Sequence, residues 1–460
     1  MDDFDLIIIG AGSGNMLISP EMDSWRIAII ERWTFGGTCL NRGCIPSKML
    51  IFPADRAAEA EDSSCLGIST SFNGADWPAI VDRVFGRIDP IAEGGRQYRH
   101  SNPNVTVFEA DARFVGERQL SVDGRVITGK QVVIAAGART FIPPVPGLDT
   151  VAFHTSDTVL RLAELPRHLV ILGGGFIAAE LGHVFRSLGS AVTIINRSEH
   201  LLSGEDHDVS EGFTKIAAER FTLHLNAHVD RVESTPAGVA VHVSDGSGSH
   251  VVEGDVLLVA TGRHPNGDQL DGALAGVDVG PSGAVLVDEF GRTSAPGVWA
   301  LGDVNGRHQL KHMANGEAKV VRHNVLHPDD LRRFDARPAP YAVFTSPQIG
   351  AIGPTERALR GSGADVRVIT QSYGTAAYGW ALEDTTGFVK LIGDPKTRTL
   401  LAAHIFGHEA SLLVQLLVQG MYLGATVDEM ANGQVWIHPA LSEIVEQSLL
   451  SLIDAFDTVS

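Results

Sequence analysis

Cysteine and basic residues are scarce in this sequence. The 460 residues contain 3 cysteines, too few for the disulfide framework of a secreted domain. Lysine and arginine total 36 against 55 acidic residues, and the net charge of -19 argues against a nucleic-acid partner. The nearest candidate for a membrane span, residues 410–427, contains glutamines and glycines, so we expect a buried or subunit-facing helix there. No signal-peptide pattern opens the sequence, and we expect a cytoplasmic protein without a membrane partner.

Glycine, in contrast, is abundant, and it marks a predicted nucleotide-binding turn near the start. An apolar run leads into GAGSGN at 10–15, where a helix N-terminus would offer free amides to a pyrophosphate. Glu31 ends the second predicted strand, where a carboxylate can accept hydrogen bonds from ribose hydroxyls. Asn15 replaces the third glycine of this fingerprint, and Pro20 interrupts the helix predicted over 16–24. Taken alone, such a glycine turn also occurs without a ligand.

The same pattern recurs near the middle of the chain. A strand predicted over 168–172 leads into GGGFIAAE, in which Gly173, Gly175 and Ala178 match G-x-G-x-x-A. The next predicted strand ends at Arg197, where an NAD enzyme would place a carboxylate. An arginine there either binds a 2′-phosphate, which favours NADPH, or is simply solvated. Two dinucleotide folds in one chain indicate two cofactors that pass electrons between them.

Cys39 and Cys44 lie five positions apart in GGTCLNRGCIPSK at 36–48. One turn of backbone at this spacing can bring the two Cα atoms within bridging range. A bridge that closes so short a loop adds little stability, and cytosolic proteins rarely keep structural disulfides. We therefore interpret the pair as a redox switch, the alternative being two small buried side chains that never meet. We assign no role to Cys65.

A further repeat indicates how the domains are connected. The segment AAGAR at 135–139 is echoed by ATGR at 260–263, which indicates where the chain leaves and re-enters its first nucleotide domain. A strand predicted over 298–301 then delivers Gly302 and Asp303 at its carboxyl end, the usual place for ligand contact in an open α/β sheet.

The predicted fold class is α/β, with two Rossmann-like dinucleotide-binding domains and a C-terminal α+β domain. Alternating residues predict antiparallel strands over 105–115 and 119–127, and again beyond residue 341. The predicted segments are 1–150 for the first nucleotide domain, 151–265 for the second, 266–336 for the return to the first, and 337–460 for the C-terminal domain.

His438 is the histidine with the strongest case for a catalytic role. Glu443 begins the helix predicted after it, close enough in sequence to hold the imidazole in one tautomer. We expect most of the other histidines to be hydrogen-bonded groups of the surface or the core without a catalytic role.

Five motifs together resemble those of the flavoprotein disulfide reductases, the family that includes glutathione reductase and dihydrolipoamide dehydrogenase. They occur in the family's order along the whole chain: GGTCLNRGCIPSK, GGGFIAAE, ATGR, TSAPGVWALGD and HPALSE. The resemblance implies an enzyme with FAD in the first nucleotide domain and NADPH in the second, NADH being the alternative. It also implies a homodimer whose interface is formed by the C-terminal domain.

The resemblance implies catalytic roles for two cysteines, a histidine and a glutamate. Cys39 would attack a substrate disulfide as the exposed thiolate, and Cys44 would lie nearest the flavin. His438 with Glu443 would form an acid/base pair that reaches the cysteines of the other subunit.

The implied cofactor contacts include an ion pair of Lys48 with Glu180 beside the flavin, and no metal is implied. The further implied contacts with the two cofactors are Gly10, Gly12, Ser13, Gly14, Glu31, Gly37, Thr38, Gly173, Gly175, Ala178, Arg197, Gly262, Gly302 and Asp303.

Three segments resemble the actinobacterial members that reduce mycothione, the disulfide of mycothiol. They are GSGN at 12–15, VFGRIDPI at 84–91 and YGWALED at 378–384. The resemblance thus implies NADPH-dependent reduction of mycothione, a reaction that maintains thiol redox balance.

Other functions stay open at this point. Ser203 stands where NADPH-using relatives often carry a second arginine, and Arg42 stands where valine is usual. The alternatives are dihydrolipoamide dehydrogenase, another low-molecular-weight disulfide reductase similar to glutathione reductase, and a redox-inert flavin-binding protein. Asn196, where dihydrolipoamide dehydrogenases usually carry glutamate, counts against the first, and the intact set of implied catalytic residues counts against the last.

Overall fold

The computed structural model describes residues 2–458, so the outermost ends of the first and last predicted domains lie outside the described residues. The first sheet has seven strands. Six of them precede residue 135: β1 (Asp2–Ile9), β2 (Ile27–Ile30), β3 (Val105–Phe108), β4 (Ala112–Gly116), β5 (Gln119–Val122) and β6 (Arg125–Ile134). The order is β3-β2-β1-β6-β5-β4, in which β1, β2, β3 and β6 are parallel and all four residues of β2 are buried, as is typical of a nucleotide-binding sheet.

Three helices accompany this sheet. They are α1 (Gly37–Asn41), α2 (Cys44–Asp62) and α3 (Trp77–His100). No α-helix forms over 16–24, where one was predicted, and two short 3-10 turns, Ser13–Met16 and Pro20–Met22, take its place. The carbonyl and the side-chain oxygen of Asn15 accept hydrogen bonds from Arg99 of α3, at 2.9 and 2.6 Å, and Pro20 has no N–H to donate. These two features explain the missing helix.

The antiparallel strands predicted over 105–115 and 119–127 are also corrected. The first range contains two strands, because β3 joins the parallel part of the sheet and only β4 is antiparallel to its neighbour. The second range is broken by Asp123 and Gly124, whose φ values of 49° and 72° form a tight hairpin turn between β5 and β6.

The second nucleotide-binding region follows a short strand, β7 (Ala138–Thr140). Its elements are β8 (His168–Leu172), α4 (Phe176–Ser187), β9 (Ala191–Ile195), α5 (His207–Arg220), β10 (Thr222–His224), β11 (His228–Thr235), β12 (Gly238–Asp245), β13 (Gly248–Gly254) and β14 (Val256–Val259). A parallel sheet has the order β10-β9-β8-β14, and an antiparallel sheet of β11, β12 and β13, which was not predicted, packs beside it.

The repeated segments 135–139 and 260–263 meet in space. The strand β15 (Arg263–Pro265) pairs antiparallel with β7, so the chain enters and leaves the second region side by side. Gly10 and Gly173 have the same role in the two units, because a Cβ on either would lie 2.3 or 2.4 Å from the carbonyl oxygen of Ala135 or Ala260. Both positions therefore require glycine.

The chain then returns to the first sheet. The strand β16 (Val298–Ala300) lies parallel to β6, and α6 (Lys311–Leu326) follows it. The exact domain boundaries given above stay predictions.

The C-terminal region contains an antiparallel sheet of five strands with the order β17-β18-β21-β20-β19. Its elements are β17 (Tyr341–Val343), β18 (Gln348–Ile352), α7 (Glu356–Gly361), β19 (Arg367–Ser372), α8 (Ala377–Ala381), β20 (Phe388–Asp394), β21 (Thr399–Gly407), α9 (Ala410–Leu423), α10 (Val427–Asn432) and α11 (Glu443–Asp457). The predicted fold class is confirmed. Within residues 2–458, none of the helices has the length and apolar character needed to cross a membrane.

Lys390 of β20 connects the C-terminal sheet to the second nucleotide-binding region. Its ammonium lies 2.7 Å from carboxylate oxygens of Asp206, Asp208 and Glu356. The side chains of Lys390 and Asp206 are only 3% and 1% exposed. Burial is the largest single influence and raises the pKa of Asp206. The hydrogen bonds from Lys390 and the Glu356 amide, together with nearby positive charge, outweigh burial and lower that pKa.

We expect the Lys390→Met variant to lose about 3–5 kcal/mol of unfolding free energy at pH 7, since it leaves the buried Asp206 carboxylate without its cation. The loss shrinks as the pH falls toward the unfolded pKa of aspartate, because protonation then removes the unpaired charge. Urea unfolding curves at pH 7 and pH 5 measure both effects. Lys396→Met, at an exposed lysine in the next turn, is the matched control. Equal midpoints for the two variants would contradict the role of Lys390.

Candidate functional site

A cavity of about 1730 Å³ opens at the carboxyl edge of the first sheet. It exceeds the roughly 300–1,000 Å³ of ordinary ligand pockets and has room for a dinucleotide. Twelve residues predicted from the sequence line it: Gly10, Gly12, Ser13, Glu31, Gly37, Thr38, Cys39, Cys44, Lys48, Glu180, Gly302 and Asp303. The tertiary structure thus brings most of the predicted flavin contacts and both cysteines to one space.

The glycine turn at the cavity wall has the form of a pyrophosphate cradle. A Cβ on Gly37 would lie 2.7 Å from the Cα of Gly12, so only glycines allow these two segments to approach. Glu31 shapes the same turn, because its two carboxylate oxygens accept hydrogen bonds from the amides of Ala11 and Trp33 at 2.8 and 2.9 Å. Each oxygen keeps a lone pair for a ribose hydroxyl. These residues fit FAD.

Gly14 and Ala178 were also expected to contact a cofactor, but neither lines the cavity. A Cβ on Gly14 would lie 2.8 Å from a methyl group of Ile8. Ala178 has 0% exposure and packs α4 against its sheet. Both residues allow close packing at these places, and their contacts with a cofactor stay a prediction.

The two cysteines lie at the junction of α1 and α2. Cys39 is in α1, and Cys44 is the first residue of the 19-residue α2, at the positive end of its dipole. A hydrogen bond from Cys39 and the charge of Lys48 lower the pKa of Cys44 to about 7. The same hydrogen bond, together with burial, raises the pKa of Cys39. Within one chain, these contacts favour the ionised form of Cys44 and the protonated form of Cys39.

The expected role of Cys39 as the exposed thiolate stays a prediction. Cys39 is half-buried, whereas Cys44 is exposed, and both line the cavity. The reason is that Cys44 begins a helix whose first turn faces the cavity, while Cys39 lies within the preceding helix.

The ion pair of Lys48 with Glu180 is formed between α2 and α4. The ammonium lies 2.8 Å from both carboxylate oxygens of the glutamate. The amide of Phe344 donates a further hydrogen bond of 3.0 Å to Glu180, and the Lys48 ammonium lies 4.7 Å from the Phe344 ring centroid. Because Glu180 is buried and Lys48 half-buried, these contacts hold the lysine at the cavity wall.

Two residues that the sequence analysis did not single out support the loop after β16. Glu317 of α6 is buried and accepts hydrogen bonds from the Gly302 amide at 2.6 Å and from Asn305 at 2.9 Å. Arg263 lies 3.2 Å from a carboxylate oxygen of Asp303 and also donates to the carbonyl of Ala138. Arg263 ends the ATGR motif and was therefore detectable, whereas nothing in the sequence marks Glu317.

His438 and Glu443 form the predicted pair but lie outside the cavity. The Nδ1 atom of His438 is 2.7 Å from a carboxylate oxygen of Glu443, and this hydrogen bond lowers the pKa of the glutamate. The imidazole is 72% exposed, and neighbouring Val435 and Ile437 are 95% and 72% exposed. Neither His438 nor Glu443 lines the cavity of the described chain. The exposed histidine–glutamate pair lies among exposed apolar residues, which is typical of a surface that contacts another protein.

The second predicted nucleotide site lies at the end of β9. Arg197 is exposed there and makes no hydrogen bond or ion pair with any residue between 2 and 458. The Asn196 amide donates to the carbonyls of Ser198 and His200 at 3.1 and 2.9 Å, which shapes the loop around the free guanidinium. Gly173, Gly175 and Gly262 do not line the large cavity and belong to this separate edge. The residues present fit a pyridine nucleotide with a 2′-phosphate.

Comparison with known proteins gives matches over the whole chain. Mycothione reductase of Mycobacterium tuberculosis is 49% identical over 98% of this chain and 100% of its own length. Glutathione reductase of Burkholderia cepacia is 31% identical over 96% of this chain and 97% of its own length. The solved Cu(II) complex of the HOCl-induced flavoprotein disulfide reductase RclA from Escherichia coli matches with a TM-score of 0.85 and 31% identity over 100% of both chains.

Two family models together account for most of the sequence. The pyridine nucleotide-disulphide oxidoreductase model matches residues 4–318, and the dimerisation domain of the same family matches residues 339–449. The chain therefore belongs to the pyridine nucleotide-disulphide oxidoreductases, a family of oxidoreductases whose cofactors are FAD and NADPH.

Proposed function

We propose that this protein reduces mycothione to two molecules of mycothiol at the expense of NADPH. The observation that carries the proposal is the 49% identity, over 98% of the chain, with the mycothione reductase of Mycobacterium tuberculosis. The contact between Cys39 and Cys44 at the cavity wall supports disulfide chemistry at this place.

The reaction at the dithiol balances in sulfur and electrons. The Cys39 thiolate attacks one sulfur of the substrate disulfide, and the first mycothiol leaves as a thiolate that takes up a proton. The Cys44 thiolate then attacks the Cys39 sulfur of the mixed disulfide, which releases the second mycothiol and forms the Cys39–Cys44 disulfide. FAD, when bound, passes two electrons from NADPH to that disulfide, which restores the dithiol.

Proton transfer requires a base at the dithiol, and His438 does not line the cavity of its own chain. Because the hydrogen bond with Cys44 and burial raise the pKa of Cys39, a base that accepts its proton would prepare Cys39 for attack. We propose that His438 of the partner subunit is this base, with Glu443 stabilising the imidazolium form through their 2.7 Å contact. The same imidazolium then protonates the departing thiolate.

We further propose that the protein is a cytoplasmic homodimer. The match to the family's dimerisation domain at 339–449 supports this assembly, and so do the exposed apolar residues beside His438. In such a dimer, the C-terminal segment 337–460 of one chain would complete the site built by segments 1–150 and 266–336 of the other.

A substrate panel tests the proposed function. Purified holoenzyme is assayed with NADPH or NADH against mycothione, lipoamide and glutathione disulfide. We expect kcat/KM for mycothione with NADPH to exceed every other combination. If lipoamide with NADH is turned over faster than mycothione with NADPH, the enzyme is instead a dihydrolipoamide dehydrogenase. If none of the disulfides is reduced, the protein is not a disulfide reductase.

The Arg197→Ala variant tests the nucleotide preference. We expect its KM for NADPH to rise roughly 10–100-fold, as for a lost charge-assisted hydrogen bond, while the KM for NADH stays unchanged. Initial rates with each nucleotide provide the measurement. Arg167→Ala is the matched control, because Arg167 is an exposed arginine at the opposite end of β8. An equal rise in both KM values would contradict a 2′-phosphate contact.

A further inference from the structure

A buried histidine of α4, His183, has no part in the proposed reaction. Its side chain is only 2% exposed, and burying a polar ring is costly unless its nitrogens are hydrogen-bonded. The Nε2 atom lies 2.7 Å from a carboxylate oxygen of Asp55 in α2, and the Nδ1 atom lies 3.2 Å from the hydroxyl oxygen of Ser187. Both ring nitrogens therefore have a partner, and one of the two contacts joins α4 to α2.

The hydrogen bonds at His183 form a chain with one direction. Arg220, at the end of α5, donates to the hydroxyl oxygen of Ser187 at 2.9 Å. The Ser187 hydroxyl can then donate to Nδ1 of His183, which leaves the Nε2–H to donate to Asp55. This order gives every group in the chain its partner. The middle of the chain is shielded from water, because Ser187 and His183 are each 1% exposed.

A second contact joins the same two helices at the cavity. It is the ion pair of Lys48 in α2 with Glu180 in α4. Glu180 precedes His183 by three residues, so the two side chains lie on one face of α4. Lys48 precedes Asp55 by seven residues, which places them on one face of α2, two turns apart. The contact of His183 with Asp55 therefore braces the helix pair that carries the ion pair.

The ion pair by itself leaves the helix orientation poorly defined. Lys48 is 35% exposed, and an ammonium on a flexible stem can follow a carboxylate that moves. The imidazole of His183 is a rigid ring whose two nitrogens bond in fixed directions, so its contacts restrict the rotation of α4 against α2. The position of the Glu180 carboxylate, one turn away, follows from that rotation.

We propose that His183 is a positioning residue that acts on the ion pair of Lys48 with Glu180. Its hydrogen bonds set the rotation of α4 against α2, and this rotation places the carboxylate that holds the Lys48 ammonium at the cavity wall. His183 does not line the cavity, so it acts only through the two helices. The inference rests on the proposed function, in which the ion pair lies beside FAD.

Reduction of the flavin by NADPH, measured without a disulfide substrate, tests this role. We expect His183→Met to lower the rate constant of flavin reduction roughly 3–10-fold, because a small displacement of the ion pair misorients it. The dissociation constant of NADPH should stay unchanged, because the nucleotide turn before α4 is intact. His183→Gln keeps an N–H donor for Asp55 and should restore the parental rate constant. Asp55→Ala breaks the same contact from its more exposed end and should slow flavin reduction by a similar factor.

Glu180→Gln tests whether His183 acts through the ion pair. In the Glu180→Gln background, His183→Met should lower the rate constant less than about twofold further, because the pair to be positioned is already weakened. The visible absorbance maximum of the oxidised holoenzyme, recorded without NADPH, is a readout independent of turnover. We expect Glu180→Gln and His183→Met to shift this maximum in the same direction, and His183→Gln to leave it unchanged.

His228→Met is the matched control, because it removes an exposed contact between a histidine and an aspartate in the same region. It should keep the parental rate constant and spectrum. The proposal is wrong if His183→Met or Asp55→Ala, with FAD bound, is reduced at the parental rate, or if His183→Gln is as slow as His183→Met. It is also wrong if the effects of His183→Met and Glu180→Gln multiply. Where His183→Met fails to fold, Asp55→Ala decides the outcome. A holoenzyme that shows the expected pattern but does not reduce mycothione would reject only the proposed substrate.

Discussion

Cys39→Ser is expected to reduce disulfide turnover at least ~10³-fold, because the variant has no sulfur with which to form the mixed disulfide. The Cys44 thiol stays in place at the start of α2, close to the Lys48 charge that lowers its pKa. The oxidised holoenzyme of this variant should therefore show long-wavelength absorbance from the Cys44 thiolate beside the flavin. Since a thiolate forms as the pH rises through the pKa, this absorbance should increase with pH.

The measurement combines steady-state mycothione reduction with a pH titration of the visible spectrum. Cys65→Ser is the matched control and should keep full activity, because Cys65 is an exposed free thiol beyond the opposite end of α2 from Cys44 and does not line the cavity. Disulfide reduction by Cys39→Ser would reject Cys39 as the attacking thiol. Absence of the pH-dependent absorbance would reject Cys44 as the flavin-side thiol.

His438→Gln is expected to slow the thiol-exchange half-reaction roughly 10²–10⁴-fold, the usual contribution of a general acid/base. Glutamine retains a hydrogen bond to Glu443 but cannot carry a proton at neutral pH. Reduction of the enzyme by NADPH should be unchanged, because that half-reaction does not use the imidazole. Stopped-flow measurement of the two half-reactions separates these effects. His408→Gln, at an exposed histidine of the same region, should behave as the parent protein.

Mixed dimers test whether the histidine acts across the subunit interface. A dimer of one Cys39→Ser chain with one His438→Gln chain contains one complete site if the histidine serves the partner's cysteines, and no complete site if it serves its own. Random reassociation of equal amounts should then recover about a quarter of the parental activity, since half of the dimers are mixed and each has one working site. No recovery, in the presence of demonstrated mixed dimers, would contradict the cross-subunit arrangement.

Several features of the fold and the site were predictable because short segments specify them. The turns at Gly10 and Gly173 have no room for a Cβ, so the requirement for glycine is visible as a local motif. The same holds for the cysteine segment and for the approach of Gly37 to Gly12. Predictions failed where a distant residue changed the local outcome. Arg99 donates a hydrogen bond to the carbonyl oxygen of Asn15, and the expected helix after the first glycine turn does not form.

What the sequence by itself determined is the list of chemical groups and the two nucleotide-binding turns, because backbone sterics and residue type act over a few neighbouring positions. Only the tertiary structure decided which groups share one space. Ser13 and Lys311 are separated by 298 residues in sequence and 2.9 Å in space. The opposite pKa shifts of Cys39 and Cys44 likewise follow from a shared hydrogen bond, burial and charges that meet through folding. Electrostatic interaction depends on distance through space, which a linear sequence does not contain.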